Sequence, residues 1–340
     1  MKVAIVTRPD YKSPRILAES LLAQLYSNDF EAEIFYNIDT LTRLVSFKNS
    51  GLSFHFWLRR RIKNLIQDIK FIRKLREYDI IVICECTPNG FWKNLYNIEE
   101  LKRKTQIPVL FYEVYFLGNA PTMVKKLNQT GNSGIELYDW HLSVSKVTEI
   151  CNEPQYPWSS IGIYSKSWGI FPNEKDELIA IVDFVQEGYE HYREAQINAL
   201  IKAKIKFISL EKKYSIHEIR KIYQSASIFF IQFPEAFGLS ILECLCAGAQ
   251  IFTPHSGWPM AFRINKNAKF NGPGILPDCF TVYEEVRLVE TLIEFKNNFH
   301  KKKSPQKVFE TFYKFYPEYY EGDSSQFLYV LNNYKKLLKF

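Results

Sequence analysis

Residues 228–253 read IFFIQFPEAFGLSILECLCAGAQIFT, and the pattern in this segment changes twice. Ile228–Phe233 is a short run of β-branched and aromatic residues, which is typical of a buried strand. Leu239–Ala247 has helical spacing of its apolar residues, and Gln250–Thr253 returns to a strand pattern. A strand, a helix and a strand in close succession indicate a parallel arrangement in which the helix covers the sheet.

The same alternation extends over most of the 340 residues. The other apolar runs that predict strands are Val3–Thr7, Ala32–Tyr36, Ile80–Cys86, Pro108–Tyr115, His141–Ser145, Leu178–Phe184 and Ile205–Leu210. Helical spacing is found in Pro14–Tyr26, Leu58–Arg76, Glu99–Lys104, Tyr189–Lys202 and Ile216–Ser225. Near-continuous apolar strands between helices are typical of parallel sheets covered on both faces. The predicted fold class is therefore α/β.

A polar break at Pro172–Glu177 divides the series into two halves, and the length of the chain also predicts two domains. We place them at 1–172 and 173–323. Residues 324–340 are predicted to form a C-terminal helix that packs back on the first domain. Two α/β domains in tandem usually bind their ligand in the cleft between them, at the carboxyl ends of the strands.

Composition excludes several classes of protein. Lys and Arg number 44 against 37 Asp and Glu, so the net charge of +7 is too small to predict a nucleic-acid partner. The six cysteines show no pair with the two-residue gap of zinc or redox sites, which predicts free thiols and a reducing cytoplasm. The N-terminus has no signal-peptide pattern, and the longest stretch without Asp, Glu, Lys or Arg, Cys244–Phe262, contains prolines and glycines that argue against a membrane span.

One helical segment, Ser53–Glu77, carries eight basic and two acidic residues, and its local net charge of +6 leaves only +1 for the rest of the chain. Its apolar residues at steps of four and three form one face, made of Leu58, Ile62, Leu65, Ile69 and Ile72. With three aromatic residues at its start, the helix is a candidate for contact with an anionic membrane surface. The alternative, which we favour for the apolar face, is that it packs on the domain's own sheet.

The loop before the helix at Leu239 has the chemistry of an anion site. The backbone amides of Phe237, Gly238 and Leu239 would lie at the N-terminus of that helix, where a phosphate can bind. Two carboxylates, Glu235 and Glu243, flank these amides and are separated by seven residues. One of them could contact a sugar and the other a ribose.

At these residues the sequence resembles the retaining, nucleotide-sugar-dependent glycosyltransferases of the GT-B fold, in particular the family 4 group with the Glu-x7-Glu motif. The matching positions are Glu235, Phe237, Gly238, Leu239, Glu243 and Gly248, while Ala236 replaces a glycine. The flanks are also similar, through Tyr223, Ala226 and Ser227 before the motif and the loop Thr253–Pro259 after it.

This resemblance implies two Rossmann-like domains, a UDP- or GDP-sugar donor, no metal ion and transfer with retention. Glu235 would be catalytic at the donor sugar, Glu243 would bind the ribose, and the amides from Phe237 to Leu239 would face the donor phosphates. The first domain would bind a saccharide or lipid-linked acceptor. The setting would be the cytoplasm, with the inner face of the membrane as a possible site of contact.

The sequence also departs from the family pattern. Family members carry an Arg and a Lys directed at the diphosphate after the first strand of the second domain, but residues 183–192 contain no Lys or Arg. The candidates to replace them are Arg193, Lys166 and Arg263, each of which could instead be a solvated surface charge. A leaving diphosphate needs such positive groups. A non-catalytic protein that binds nucleotide sugars or glycans is therefore an alternative function, and a basic membrane or nucleic-acid adaptor is another.

The acceptor candidates lie at the ends of predicted strands in the first domain. They are Glu113, Glu85 and Arg8. A carboxylate at the carboxyl end of a strand could orient an acceptor hydroxyl or be a satisfied polar group. We interpret His141 as structural. A similar alternative exists for Glu243, because Ser240–Glu243 has the spacing of a capping box.

Overall fold

The computed structural model describes residues 1–8, 12–36, 53–86, 98–114, 137–145, 157–264 and 274–337. In these residues the first sheet has six strands in the order β2-β1-β3-β4-β5-β6. All neighbouring strands pair in parallel. Their bounds are β1 Lys2–Val6, β2 Glu31–Phe35, β3 Ile80–Cys84, β4 Val109–Glu113, β5 Trp140–Ser143 and β6 Trp158–Ser160.

The second sheet has five described strands in the order β11-β10-β9-β7-β8, again all parallel. They are β7 Ile179–Val182, β8 Lys206–Ser209, β9 Ile228–Phe230, β10 Gln250–Thr253 and β11 Phe280–Val282. The predicted α/β class with two parallel sheets is confirmed. The edge strands β6 and β11 were not predicted from the sequence.

The α-helices of the described residues cover these sheets. They are α1 Lys12–Tyr26, α2 Phe54–Leu75, α3 Ile98–Thr105, α4 Glu190–Lys202, α5 Ile216–Ser225, α6 Leu239–Cys246, α7 Leu288–Asn298, α8 Lys303–Phe315 and α9 Ser324–Leu337. The capping box expected at the start of α5 is present, since Ser215 Oγ accepts from the Glu218 amide and the Glu218 carboxylate accepts from the Ser215 amide.

Buried side chains join the two sheets into one core. One cluster of buried residues contains Tyr112 of the first sheet and Phe229 of the second, and Ser165 Oγ, after β6, donates to the carbonyl of Tyr319, after α8, at 2.7 Å. Helix α9 contacts the first sheet, because the Tyr329 and Trp140 ring centroids are 6.2 Å apart. Because the described strands of each sheet are all parallel, their carboxyl ends lie along one edge of that sheet. These two edges carry the loops discussed below.

Lys175 ties the segment between the sheets to two helix ends. Its side chain is buried, with 2% of the residue exposed. Its Nζ donates to the carbonyl oxygens of Gln224 at 2.6 Å and Ala247 at 2.8 Å, which belong to the C-terminal ends of α5 and α6. Burial lowers the pKa of Lys175 to about 8. A cation at helix C-termini is favoured by both the free carbonyls and the helix dipoles.

We expect Lys175→Met to lower the free energy of unfolding by about 2–4 kcal/mol, because two carbonyls lose a charged donor in a buried place. Urea unfolding followed by circular dichroism measures this change. Lys166→Met is the matched control, since Lys166 is an exposed lysine 3.4 Å from exposed Glu321. If both variants unfold at the wild-type urea midpoint, Lys175 does not stabilise this junction.

Candidate active site

The loop between β9 and α6 is a tight turn built around Gly238. This residue is the N-cap of α6 and has φ 70° and ψ 103°, a conformation that favours glycine. A Cβ atom at Gly238 would lie 2.8 Å from Cγ of Glu235 and 2.7 Å from Cδ1 of Ile241. The Glu235 side chain therefore folds back over the N-terminus of α6, beside the amides that the sequence predicts as an anion site.

Phe237 anchors this loop in the core. The residue is fully buried, and its ring centroid is 5.3 Å from that of Phe262 and 5.0 Å from that of Tyr319. The carbonyl of Ala236 accepts a hydrogen bond from the Ala261 amide at 2.9 Å. Because the ring of Phe237 is enclosed, a donor could contact this residue only through its backbone. Leu239, half-buried, is the first residue of α6.

Glu243 lies on the first turns of α6 and is buried. Its Oε1 accepts from Nε of Arg220 at 2.9 Å. The capping-box interpretation of Ser240 and Glu243 is wrong, because the N-cap of α6 is Gly238, two residues before Ser240. The Arg220 guanidinium also lies 5.4 Å from the centroid of the Trp168 ring. A buried carboxylate is thus held by one arginine that packs on an aromatic ring.

Arg193 lies at the carboxyl ends of β7 and β8. Its guanidinium donates to the carbonyls of Asp183 and Leu210, both at 3.3 Å, and to Ser209 Oγ. Its Nη2 is 3.6 Å from Oε1 of Glu211, a largely exposed residue. The positive charge is therefore at the edge where a diphosphate would bind, but backbone oxygens and a carboxylate already surround it.

The other two diphosphate candidates lie elsewhere. Lys166 pairs with Glu321 at the surface, and the described contacts do not connect it to the loop at Glu235. Arg263 follows a 3-10 turn at Met260–Phe262 and is half-buried. The Ala261 amide of that turn bonds to Ala236, so Arg263 is two residues from a direct contact with the loop.

An aromatic group at the same edge was missed from the sequence. Tyr192 Oη lies 2.9 Å from Nε2 of His255, and the His255 ring centroid is 4.4 Å from that of Trp258. Tyr189 also contacts Trp258, with the centroids 6.1 Å apart. Strand β9 lies between β7 and β10, so these loops flank the Glu235 loop on both sides. These aromatic residues follow the predicted strands β7 and β10 in the sequence, and this position could have identified them as candidates for the site.

Asp183 adds an ionisable group to this edge. Its carboxylate accepts from the Phe184 amide at 2.8 Å, and its own carbonyl accepts from Gln232 Nε2 and from Arg193. Burial raises the pKa of Asp183 to about 6. Desolvation of the charged form is the cause, and the nearby Arg193 opposes it.

Two of the three acceptor candidates meet at the edge of the first sheet. Nε of Arg8, after β1, lies 2.7 Å from Oε2 of Glu85, after β3. Glu85 is 3% exposed, and its other oxygen accepts from the Cys86 amide at 2.8 Å. Burial raises the pKa of Glu85 against the effects of that bond and of Arg8. The adjacent strands thus bring together residues that are 77 positions apart.

The third candidate, Glu113, is enclosed. Its Oε1 lies 2.9 Å from Nε2 of His141, and neither side chain has exposed surface. Burial lowers the pKa of His141 to about 3, so its ring is neutral at neutral pH. The His141 ring also stacks on Phe111, with centroids 5.6 Å apart. This arrangement favours the satisfied-polar-group interpretation over direct contact with an acceptor.

Comparisons with known proteins show which structures this fold is similar to. No family model and no curated protein matches the chain. Among solved structures, HepE of Anabaena in complex with UDP and glucose has a TM-score of 0.54 and 10% identity, covering 99% of this chain and 100% of that one. Phytolacca americana UGT2, complexed with UDP-2fluoro-glucose and pterostilbene, has a TM-score of 0.51 and 12% identity, covering 98% and 99%.

The two parallel sheets of six and five strands, together with these structures, define the GT-B fold of glycosyltransferases. At 10 to 12% identity the likeness is one of architecture. Among the described residues, no helix is both long and apolar enough to pass through a bilayer.

Proposed function

We propose that this chain is a glycosyltransferase that moves a sugar from a UDP- or GDP-sugar to a saccharide or lipid-linked acceptor, with retention and without a metal ion. The observation that carries the proposal is the loop at Glu235–Leu239. It stands at the carboxyl edge of the second GT-B sheet, at a helix N-terminus, and carries the Glu-x7-Glu spacing. HepE and UGT2, which share the fold, bind UDP or a UDP sugar, and UDP is therefore the first nucleotide to test.

The proposed roles follow from position. Glu235 is placed at the reacting centre, and the amides of Phe237, Gly238 and Leu239 face the donor phosphates. Glu243 is assigned to the ribose, with Arg220 holding its carboxylate in position. The aromatic group around Trp258 forms one flank of the donor site, where flat rings can pack against a sugar or a base.

The leaving diphosphate needs positive charge. Arg193 is the first candidate because it is already at the correct edge, and Glu211 is its exposed partner, which a diphosphate would replace. Arg263 is the second candidate, next to the turn that holds the loop. Lys166 is the third, and it would require movement of the segment that follows β6.

For the acceptor side we propose the Arg8–Glu85 pair, in which the carboxylate orients an acceptor hydroxyl. Glu113 is the third residue proposed for the acceptor side, and it would lie behind this pair beside His141.

The proposed domains remain 1–172 and 173–323 with the helix from 324. We propose that the two domains close over the substrates by a hinge motion at residues 172–177. The described cysteines Cys84, Cys86, Cys244, Cys246 and Cys279 are all free, which supports a reducing cytoplasm.

We expect UDP or GDP to raise the thermal midpoint of unfolding, because a ligand that binds only the folded state stabilises it, by about 2.7 kcal/mol at one hundred times its Kd. ADP is the comparison nucleotide. Differential scanning fluorimetry measures the shift for each nucleotide and for its sugars.

In Glu243→Gln the thermal midpoint without ligand also changes. The readout for this variant is therefore the ligand-induced shift of the midpoint, which should be smaller than in the wild type. Glu194→Gln, an exposed glutamate on α4, is the control. No shift with any nucleotide would contradict the proposal.

A non-catalytic nucleotide-sugar-binding protein is the second candidate function. The observation that favours it is the engagement of Arg193 with the protein's own carbonyls and Glu211, together with the lack of Lys or Arg at 183–192. Incubation with UDP- and GDP-sugars distinguishes the two functions. Nucleotide binding with neither sugar transfer nor slow donor hydrolysis would support the second candidate.

A further inference from the structure

Among the described residues, helix α2 contacts the first sheet near its C-terminus. Leu75 is fully buried, and the Phe71 ring contacts that of Phe35 at a centroid distance of 5.8 Å. Lys74 Nζ lies 2.7 Å from Oε1 of Glu33. Most of the described residues before Phe71 in this helix are exposed.

These contacts give the direction of the helix. Lys74 contacts Glu33, in the middle of β2. Phe71, which precedes Lys74 in the helix, contacts Phe35, the last residue of the strand. The helix therefore runs antiparallel to β2, and its first 17 residues, 54–70, lie past the carboxyl end of the strand. At 1.5 Å per residue they extend about 25 Å. The Arg8–Glu85 pair is at this same edge of the sheet.

The apolar face of this projecting part is in contact with solvent. The expectation that it packs on the domain's own sheet is wrong for all but Ile72, because in the described part of the chain the contacts of α2 with the sheet core come from its last turns. The exposed fractions lie between 38% and 56% for Phe54, Leu58, Ile62, Leu65, Ile66 and Ile69. At 100° per residue, Phe54, Leu58, Ile62, Leu65 and Ile69 fall within an arc of about 80°.

Basic residues border this arc. Arg59, Lys63 and Lys70 follow it at about 140–180° on the same helical projection, and all three are exposed. Trp57 is half-buried and carries the guanidinium of Arg61 at 4.9 Å from its ring centroid. An apolar face with Phe and Leu beside a face rich in Lys and Arg is the composition of helices that lie in a membrane interface. Lys and Arg side chains near an anionic surface add electrostatic attraction to the burial of the apolar face.

We propose that residues 54–70 of α2 dock on an anionic bilayer surface. The apolar arc enters the boundary between headgroups and acyl chains, and Arg59, Lys63 and Lys70 contact lipid phosphates. Because this segment projects from the edge that holds Arg8 and Glu85, docking places the acceptor side of the molecule at the membrane. The acceptor is then a lipid-linked saccharide taken from that surface, an assignment that rests on the proposed transferase function, whereas the docking does not.

Vesicle flotation of the full chain tests the docking, with phosphatidylcholine vesicles that contain or lack phosphatidylglycerol. We expect binding only with phosphatidylglycerol, and weaker binding as salt is raised. Ile62→Asn/Leu65→Asn removes two apolar side chains from the arc and should weaken binding by at least roughly tenfold. Arg59→Glu/Lys63→Glu should do the same by repulsion. The matched controls are Val286→Asn and Lys307→Glu, at exposed residues outside α2, which should bind as wild type.

Several results would overturn the docking. One is equal partition of the wild type and both α2 variants, and another is binding that does not depend on phosphatidylglycerol. A change from dimer to monomer in Ile62→Asn/Leu65→Asn, measured by light scattering without lipid, would assign the face to a second copy of the chain. Salt-sensitive retention of nucleic acid without vesicle binding would assign it to that partner.

A second readout separates the docking from the transferase function. Flotation is carried out without nucleotide, so it can succeed while transfer fails, and the reverse. If transfer is present, Ile62→Asn/Leu65→Asn should keep the wild-type rate on a soluble saccharide and lose at least roughly tenfold on a vesicle-embedded acceptor. Equal loss on both acceptors would contradict the assignment of a lipid-linked acceptor.

Discussion

Glu235→Gln should lower the rate of sugar transfer by at least about 100-fold with little change in the free energy of unfolding. A carboxylate at the reacting centre stabilises charge that develops in the transition state, and loss of one such group typically costs two to three orders of magnitude. Glu235 is only half-buried, and its replacement by the isosteric amide keeps the backbone bond from its own amide to the Phe233 carbonyl. Single-turnover transfer at saturating donor measures the rate, and urea unfolding measures the stability.

The control for this variant is Glu187→Gln, an exposed carboxylate in the loop after β7 at the same edge of the sheet. It should retain wild-type transfer, which shows that the effect is not a general loss of negative charge near the donor. Glu235→Asp should give an intermediate rate, since the charge is kept and the reach is shortened. Wild-type turnover in Glu235→Gln would remove Glu235 from the mechanism and with it the main support for the transferase proposal.

Gly238→Ala should disrupt the loop itself. The substitution places a Cβ 2.7 Å from Ile241 Cδ1 and 2.8 Å from Glu235 Cγ, at a residue with φ 70°. The backbone cost and the clash together should lower the free energy of unfolding by about 2–4 kcal/mol. Because Glu235 and the amide donors must move to relieve the clash, transfer and nucleotide binding should each fall by at least roughly tenfold.

Gly169→Ala separates the effect of the backbone conformation from the effect of the steric clash. Gly169 has φ 69°, almost the same as Gly238, but no described atom lies within 4 Å of the position its Cβ would occupy. This control pays the conformational cost of about 1 kcal/mol without a clash, and it should keep nucleotide binding. Unfolding midpoints and ligand-induced thermal shifts of both variants give the comparison. Equal losses of stability and binding in the two would show that packing around Gly238 does not hold the site in place.

Much of the architecture follows from local patterns. The central strands β1, β3 and β9 are short runs rich in Val, Ile and Phe, whose β-branched and aromatic side chains fit a sheet buried on both faces. The capping box at Ser215 and the start of α6 after Gly238 depend on neighbours within a few residues, and both could be predicted. The loop at Glu235 was identified for the same reason, since its chemistry is contained in one contiguous motif.

The partners of the charged residues depended on the folded chain. Arg8 meets Glu85 across 77 positions because β1 and β3 are neighbours in the sheet, and Arg220 meets Glu243 because α5 packs on α6. The exposure of the apolar face of α2 could likewise not be predicted from the spacing of its residues. Helical spacing shows that an apolar face exists, but exposure depends on where the sheet ends, and α2 is longer than the strand beside it. Local preferences act over a few residues, whereas burial and ion pairing are set by which elements the whole fold brings together.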